Sequence, residues 1–421
     1  MSRSPDGQGL LRLCQVDARV WLGEASRRER RPVTLGSISS SELDRILESG
    51  FNWIWLRGVW EQDSAVRERA RRCALGLEAM QAALLDLELN DIEGAPLEGV
   101  RHEIRAALGG EEGFERLRDD LARRGIHVLL DFSPAAGSAA ELERVAAIAD
   151  GICLVDDFAT GAEPEASRAL TALQAAIHRV RSIDPKFIVL AEGHLSPLAR
   201  LTADFALDDV FFEALVTKDA SRVRERLRAG SRFVRYLELQ GGRRARDLFE
   251  GPSYLAAAVL AYLPPGVALF QDGQREGRRL RQDARLVRRQ DEAPDEEMEA
   301  FHESLFEFLF RAEGLGGHYS VRPVREAWAE NSTHNQFVLT LREGVAGEWM
   351  LVAVNFGPLR GQCYVDLSPL EPAGRTWVLQ DLSSLAIYER DGDDLASRGL
   401  YLDLAPWDYN VFEVRLGAKL L

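Results

Sequence analysis

Short apolar runs alternate with helical patterns over the first two thirds of the chain. The runs are rich in β-branched and aromatic residues, and the segments between them carry apolar residues three and four positions apart. Eight runs predict strands, at 14–22, 51–56, 127–132, 151–155, 187–192, 205–212, 232–239 and 266–272. This alternation predicts a (β/α)8 barrel of the TIM type, with an open doubly wound sheet as the alternative. No glycine-rich phosphate loop follows these strands, which argues against the open sheet.

The pattern changes after the eighth run. A charge-dense stretch and an apolar-striped helix lead to residue 318, after which short alternating runs are bounded by Gly, Pro, Asn and Ser. Such runs are typical of an antiparallel β-sandwich. We therefore predict a flexible tail at 1–11, a barrel at 12–317 and a C-terminal sandwich at 318–421.

Charge and composition narrow the classes of partner. The 52 Lys and Arg residues face 67 Asp and Glu, a net charge of −15, which would repel nucleic acid and anionic membranes. The most apolar stretch, 254–270, contains Pro264 and Pro265 at its centre, so it predicts a buried helix and strand instead of a membrane span. The four cysteines have no metal-ligand spacing and no secretory signal is evident, so we expect a cytoplasmic protein without metal or cofactor.

Carboxylates follow several of the predicted strands. In barrels of this type catalysis takes place at the carboxyl ends of the strands, and pairs of carboxylates there are what glycosidic chemistry uses. The candidates are Asp131, Asp156, Asp157, Glu192, Glu238 and Asp272.

Five long segments resemble, in order and spacing, bacterial members of the α-amylase family of glycoside hydrolases. The resemblance runs from about residue 12 to the end of the chain, and the segments are 19–60, 108–134, 187–194, 269–281 and 399–414. It implies a (β/α)8 barrel followed by a C-terminal β-sandwich, the architecture that periodicity predicts independently.

The family's motifs are only partly present in this chain. After the third strand Asp131 is kept, but Ala135 and Ala136 replace the amide and imidazole that contact sugar hydroxyls. The fourth-strand pattern Gly-x-Arg-x-Asp reads Gly151 to Val155, with Cys153 in place of the arginine and Val155 in place of the nucleophile. A valine cannot form a glycosyl ester, and a cysteine cannot replace the two-pronged donation of a guanidinium.

Of the remaining two motifs, one keeps its carboxylate and the other has lost it. Glu192 matches the family's acid/base position after the fifth strand. The family's Asn-His-Asp after the seventh strand reads Leu239, Gln240 and Gly241, which removes the carboxylate that stabilises the transition state. Of the three carboxylates that the resemblance implies, Glu192 is therefore the one retained. The family's Asp131 position braces the missing arginine, so we expect Asp131 to bond backbone or water as a non-nucleophilic remnant.

Asp156 and Asp157 are either a solvated turn at a strand end or a displaced nucleophile. A slip of one residue would turn the whole strand over. Asp157 shares the facing of Val155 but lies roughly 6 to 7 Å further along. Retaining chemistry requires carboxyl groups about 5 to 5.5 Å apart. The turn is the favoured interpretation.

The connection after the third strand is also short. Relatives carry a long insertion there that walls the substrate cleft, and in some of them it binds calcium. Here residues 132–150 are enough for a turn and one helix. Among other side chains, Trp53 and Trp55 are expected to pack inside the barrel, whereas Trp60 and His194 are candidate ligand contacts. Cys153 is expected to be a small apolar filler.

Together these residues predict an α-amylase-like barrel that is catalytically inactive and binds a carbohydrate or a protein partner. The alternative is an active glycoside hydrolase or glucanotransferase with a rearranged site built on Glu192 and Asp156 or Asp157. A purely structural subunit is a third hypothesis.

Overall fold

The computed structural model describes residues 11–48, 50–134, 137–155, 163–192, 202–345 and 347–417. Eight parallel strands close into a barrel in sequence order, with the eighth paired to the first. They are β1 Leu11–Asp17, β2 Trp53–Arg57, β3 His127–Phe132, β4 Gly151–Leu154, β5 Ile188–Ala191, β6 Phe205–Leu207, β7 Phe233–Tyr236 and β8 Val267–Gln271. The closed barrel confirms the predicted fold and excludes the open sheet.

Helices connect the strands and surround the barrel. Their bounds are Ala18–Glu29, Ser40–Glu48, Ser64–Arg72, Ala74–Ala83, Gly110–Ala122, Ala139–Ile148, Glu163–Ile183, Asp209–Val216, Ala220–Arg228, Ala245–Leu248, Pro252–Tyr262, Glu296–Leu315 and, in the C-terminal part, Gly392–Ser397. Short 3₁₀ turns lie at Leu35–Ser37, Leu89–Asp91, Ala106–Leu108, Ser332–Gln336 and Ser368–Leu370. None of the described helices is both long enough and apolar enough to cross a bilayer.

The barrel interior is filled by every second residue of each strand. Trp53, Trp55, Leu129, Cys153 and Leu190 belong to one buried apolar cluster inside the barrel. The alternate residues of the same strands pack outward against the helices. Trp53 and Trp55 thus lie inside the barrel as predicted, and the facing of each strand is fixed by the period of two.

Two predicted strands end five residues earlier than expected, each next to an aspartate that caps the following helix. The prediction extended the first strand to residue 22, but Asp17 ends β1 and accepts a hydrogen bond from the Arg19 amide at 3.0 Å. The sixth was expected to reach 212, but Asp208 follows β6 and accepts from the Phe211 amide at 3.2 Å. Both side chains cap the next helix, and capping overrides the apolar pattern that continues beyond it.

The longest connection between two barrel strands follows β2. A two-stranded ribbon, Trp60–Gln62 with Val100–Ile104, encloses the helices Ser64–Arg72 and Ala74–Ala83. This ribbon was not predicted from the sequence. After β3 the described chain forms the single helix Ala139–Ile148, in agreement with the short connection that was predicted there.

The C-terminal part is a sandwich of two antiparallel sheets. The six-stranded sheet has the spatial order His318–Val321, Phe337–Glu343, Trp349–Asn355, Tyr409–Leu416, Thr376–Asp381, Ile387–Asp391, and the three-stranded sheet has the order Val324–Glu326, Gly361–Val365, Leu400–Leu404. Their facing sides share a buried core. The outer side of the larger sheet packs on the barrel, because Val338, Val352 and Val411 belong to the same apolar cluster as the helices. The predicted sandwich is confirmed.

Candidate functional site

Six side chains face inward where the barrel strands end. By alternation from buried interior residues, these are Asp17 of β1, Arg57 of β2, Asp131 of β3, and the residues Val155, Glu192 and Asp209 that follow β4, β5 and β6. The carboxyl end of such a barrel is where ligands and catalytic groups are found. We refer to these six residues as the barrel mouth.

Asp131 is fully buried and bound by two neighbours from β2. Its Oδ1 accepts from Trp55 Nε1 at 2.7 Å, and its Oδ2 accepts from Arg57 Nε at 3.1 Å. Burial raises the pKa of Asp131, and the charge of Arg57 and the Trp55 hydrogen bond offset part of that rise. The expectation that Asp131 bonds backbone or water was wrong, because Arg57 on the adjacent strand supplies a guanidinium that Cys153 cannot.

The inward side of β4 is apolar. Cys153 is completely buried between Asp131 and Leu190 in the strand register. Burial raises the pKa of its thiol well above the usual range, so Cys153 is a protonated filler, as expected.

Val155 continues the strand register beyond the end of β4. Its amide donates to Phe132 O at 3.0 Å, and the Glu192 amide donates to Leu154 O at 3.1 Å. These two bonds extend the ladder and keep Val155 on the inward face, where it is 8% exposed.

Glu192 is half-buried at the mouth and has electrostatic partners on three other strands. The charges of Asp131 and then Glu192 raise the pKa of Arg57, burial and then Glu192 raise that of Cys153, and Glu192 adds to the larger effects of burial and Asp209 on Tyr236. The Tyr236 hydroxyl donates to Asp209 Oδ1 at 2.5 Å. The charge of Glu192 therefore acts on a guanidinium, a thiol and a phenol at this end of the barrel.

Gln240 connects the end of β7 to β1. Its side-chain Nε2 donates to Asp17 Oδ2 at 2.6 Å, and its backbone amide donates to Gln15 Oε1 at 3.0 Å. Asp17 is also held by both Nε and Nη2 of Arg19, at 3.0 and 2.7 Å. Gly241, at the position of the family's third carboxylate, has φ +82°, a left-handed conformation that favours glycine.

Three buried amide atoms around this connection have no hydrogen-bond partner among the described residues. They are Gln15 Nε2, Gln240 Oε1 and Gln271 Oε1. Buried polar atoms are nearly always hydrogen-bonded, so these three atoms leave donor and acceptor capacity unused in the interior beside the barrel mouth.

Other predicted site residues have different places. Trp60 was a candidate ligand contact, but it is 1% exposed and its Nε1 donates to Asp131 O at 3.0 Å, so its side chain is buried beneath the end of β3. Glu238 and Asp272 are bound to Arg244 and Arg289, at 2.7 and 2.8 Å. The positions of Ala135, Ala136, Asp156, Asp157 and His194 lie outside the described residues.

Three mouth residues, Asp17, Arg57 and Asp209, and Tyr236 beside them were absent from the candidates predicted from the sequence. Each lies on the inward side of its strand, two positions from an interior residue or at the strand end. Extending the period of two by one step along each strand would have found them. No group of three or more metal-ligating side chains occurs in the described part of the chain.

No family model matches the chain, and no curated protein is similar to it in sequence. Solved structures do match in fold. A noncanonic maltogenic α-amylase, AmyB, from Thermotoga neapolitana aligns with TM-score 0.68 and 14% identity over 96% of this chain and 98% of its own. The α-amylase from Geobacillus thermoleovorans, complexed with acarbose, aligns with TM-score 0.67 and 13% identity over 98% and 99%. A debranching enzyme from Nostoc punctiforme, soaked with acarbose, aligns with TM-score 0.60 and 14% identity over 96% and 100%. Over nearly its whole length, this chain has the fold of the α-amylase family of glycoside hydrolases.

Proposed function

We propose that this protein is a non-hydrolytic member of the α-amylase fold that binds carbohydrate at the barrel mouth. The observation that carries the proposal is the inward side of β4, where Cys153 and Val155 face the interior. A retaining glycosidase needs a carboxylate there to attack the anomeric carbon opposite its acid. An isopropyl group forms no ester, and a protonated thiol is a weak nucleophile.

The Arg57–Asp131 pair supports the same proposal. Asp131 has no exposed surface and two of its acceptor positions are filled by Trp55 and Arg57. A carboxylate buried in this way is unavailable to a sugar ring. The pair therefore has a structural role, and the positions of the family's other two catalytic carboxylates are occupied here by Val155 and Gly241.

Carbohydrate is the ligand class that the mouth favours. Glu192 and Gln240 are half-buried at this end of the barrel and present a carboxylate and a side-chain amide, groups that form hydrogen bonds with hydroxyl groups. Solved relatives of this fold were crystallised with acarbose and with maltose. The net charge of −15 argues against polyanionic ligands at the surface as a whole. A protein partner remains the second candidate ligand class.

The test combines an activity assay with a binding assay. Incubation with maltooligosaccharides, trehalose and sucrose should give no product, and Glu192→Gln should behave as the unchanged chain does. Calorimetry with maltoheptaose should show binding that Gln240→Ala weakens. Gln362→Ala, on the outer side of the three-stranded sheet, is the matched control and should leave binding unchanged.

Turnover that Glu192→Gln abolishes would overturn the proposal in favour of an enzyme, with Asp156 or Asp157 as the first candidates for the second carboxylate. Absence of sugar binding at millimolar concentration would favour a protein partner or a structural role.

A further inference from the structure

A polar cavity of about 250 Å³ lies outside the barrel wall, near the end of β8. Its floor is formed by Cys14 and Val16 on the outward side of β1, and its sides by the helices Ala18–Glu29 and Ser40–Glu48. Residues of the segment 272–294 line it as well. The barrel mouth lies on the inward side of β1 and the cavity on its outward side, and Gln271 at the end of β8 also lines the cavity.

Five arginines and six carboxylates line this cavity, and only some of the arginines form ion pairs with described residues. Arg289 binds Glu24 through Nε and Nη2, at 2.6 and 2.9 Å, and pairs with Asp272 at 2.8 Å. Arg28 pairs with Glu42 at 2.7 Å. These residues form a network in which each guanidinium has a carboxylate.

Arg275 and Arg278 line the same cavity without such partners. Neither has a carboxylate within ion-pair distance among the described residues, and the Nε of each is buried without a hydrogen bond. The Arg275 guanidinium lies 5.6 Å from the Phe306 ring centre. Burial and the neighbouring Arg289 lower the pKa of Arg278, and the charges of Glu24, Asp272 and Glu276 offset part of that lowering. A half-buried guanidinium without a directly bound anion is unfavourable, and its planar fork of donors matches an oxyanion.

The turn that carries both arginines is built rigidly. The Arg278 amide donates to Gly273 O at 3.1 Å, and the Gly277 amide donates to Gln274 O at 3.1 Å. Gln274 is 1% exposed, and its Nε2 donates to Tyr262 Oη at 2.8 Å. A preorganised turn lowers the entropy cost of binding, which distinguishes this pair from surface arginines.

The lining of the cavity also includes half-buried carboxylates. Glu276 and Glu299 line it and have no ion pair with a described residue, and Glu292 accepts from the Arg279 and Leu280 amides at 2.9 and 3.1 Å. Carboxylates accept hydrogen bonds from hydroxyl groups but repel a second anion. The lining therefore suits a molecule with one anionic end and hydroxyl groups elsewhere.

We propose that this cavity binds a small hydroxylated molecule through its phosphate or carboxylate group, with Arg278 and Arg275 as the anion-binding residues. The full chain is titrated by calorimetry with inorganic phosphate, gluconate, glucose and glucose 6-phosphate. Phosphate, gluconate and glucose 6-phosphate should bind and glucose should not bind at this site. Glucose 6-phosphate should bind more tightly than phosphate because its hydroxyls reach Glu276 and Glu299. Arg278→Gln should weaken binding about tenfold or more, the loss of one charge-assisted bond.

Two variants keep the test specific. Arg279→Gln removes the same charge from an exposed neighbour that does not line the cavity and should change affinity less than about twofold, near the effect of a surface charge. Arg278→Lys keeps the charge without the fork and should bind more weakly than the unchanged chain. Equal affinities for Arg278→Gln and the unchanged chain would overturn the proposal, as would no binding of any of the anions at about 10 mM. Glucose 6-phosphate binding no tighter than phosphate would overturn its hydroxyl part.

Discussion

Arg57 Nε lies 3.1 Å from Asp131 Oδ2 and so joins the carboxyl ends of two neighbouring barrel strands. The guanidinium comes from β2, whereas the resemblance placed the corresponding arginine on β4, at Cys153. Adjacent strands in a barrel are about 4.8 Å apart, so a long side chain on either strand reaches the same carboxylate. The buried aspartate is thus kept neutralised, although the motif residue that would do so is missing.

Arg57→Met should destabilise the protein by about 3 to 5 kcal/mol, because Asp131 would remain buried without its counter-ion. Urea unfolding at pH 7 measures this change. Asp131→Asn added to Arg57→Met should recover part of the loss. The exposed pair of Arg69 with Glu98 provides the control, and Arg69→Met should cost less than about 1 kcal/mol. Equal losses of unfolding free energy for Arg57→Met and Arg69→Met would show that the buried Arg57–Asp131 pair contributes no more to stability than an exposed pair.

Gly151→Ala should destabilise the barrel by about 2 to 4 kcal/mol through a backbone clash. An added Cβ would lie 2.6 Å from Ile188 O, which the β4–β5 ladder holds in place. Gly314 is the matched control, because it is exposed in the helix Glu296–Leu315 with open space around its Cβ position. Gly314→Ala should stabilise the protein by roughly 0.5 to 1 kcal/mol. Thermal unfolding of both variants decides between a clash and a general tolerance of alanine.

Acidification should destabilise the protein through two buried histidines. Burial lowers the pKa of His102 and of His302 to about 4. In the unfolded chain a histidine binds a proton below about pH 6.5, so the unfolded state takes up protons first as pH falls. The contribution of these histidines to the unfolding free energy is therefore fully present above about pH 6.5. It is lost between about pH 6.5 and 4, by about 1.4 kcal/mol for each unit of difference between the unfolded and folded pKa.

The variant His302→Gln isolates one of these contributions. His302 Nε2 lies 3.0 Å from Tyr254 Oη, and its Nδ1 lies 2.8 Å from Met298 O. Its replacement should make the fall in unfolding free energy between pH 6.5 and 4.5 shallower. His318→Gln, at an exposed position, should leave the slope as it is. An unchanged slope in His302→Gln would contradict the assignment.

Thiol labelling should separate one cysteine from the other three. Cys73 is exposed, whereas Cys14, Cys153 and Cys363 are buried. Burial raises the pKa of Cys363 to about 12 and those of Cys14 and Cys153 well above the usual range. Because the thiolate is the reactive form, a maleimide should label one thiol rapidly in the native protein and four after denaturation. Cys73→Ser should remove the fast phase. Rapid labelling of Cys153 would instead indicate a reactive thiol at the mouth.

The architecture followed from local patterns. Strand period, helix period and turn residues act over a few neighbouring positions, so they identified the eight barrel strands and the sandwich. Local interactions also account for the two early strand ends, because Asp17 and Asp208 cap helices. The apolar pattern continues past both caps, and it therefore predicted strand where a helix begins. The ribbon after β2 was missed because its short strands pair across 37 intervening residues, between Gln62 and Val100.

Identifying the candidate site required both the sequence and the tertiary structure. The sequence by itself determined which residue types stand at the motif positions, and the absence of a carboxylate at Val155 is a matter of composition alone. Only the tertiary structure decided that Arg57 neutralises Asp131, that Trp60 is buried and that Arg275 and Arg278 share a cavity. Those relationships join residues far apart in the chain, and sheet register and barrel closure set their distances, which no local pattern encodes.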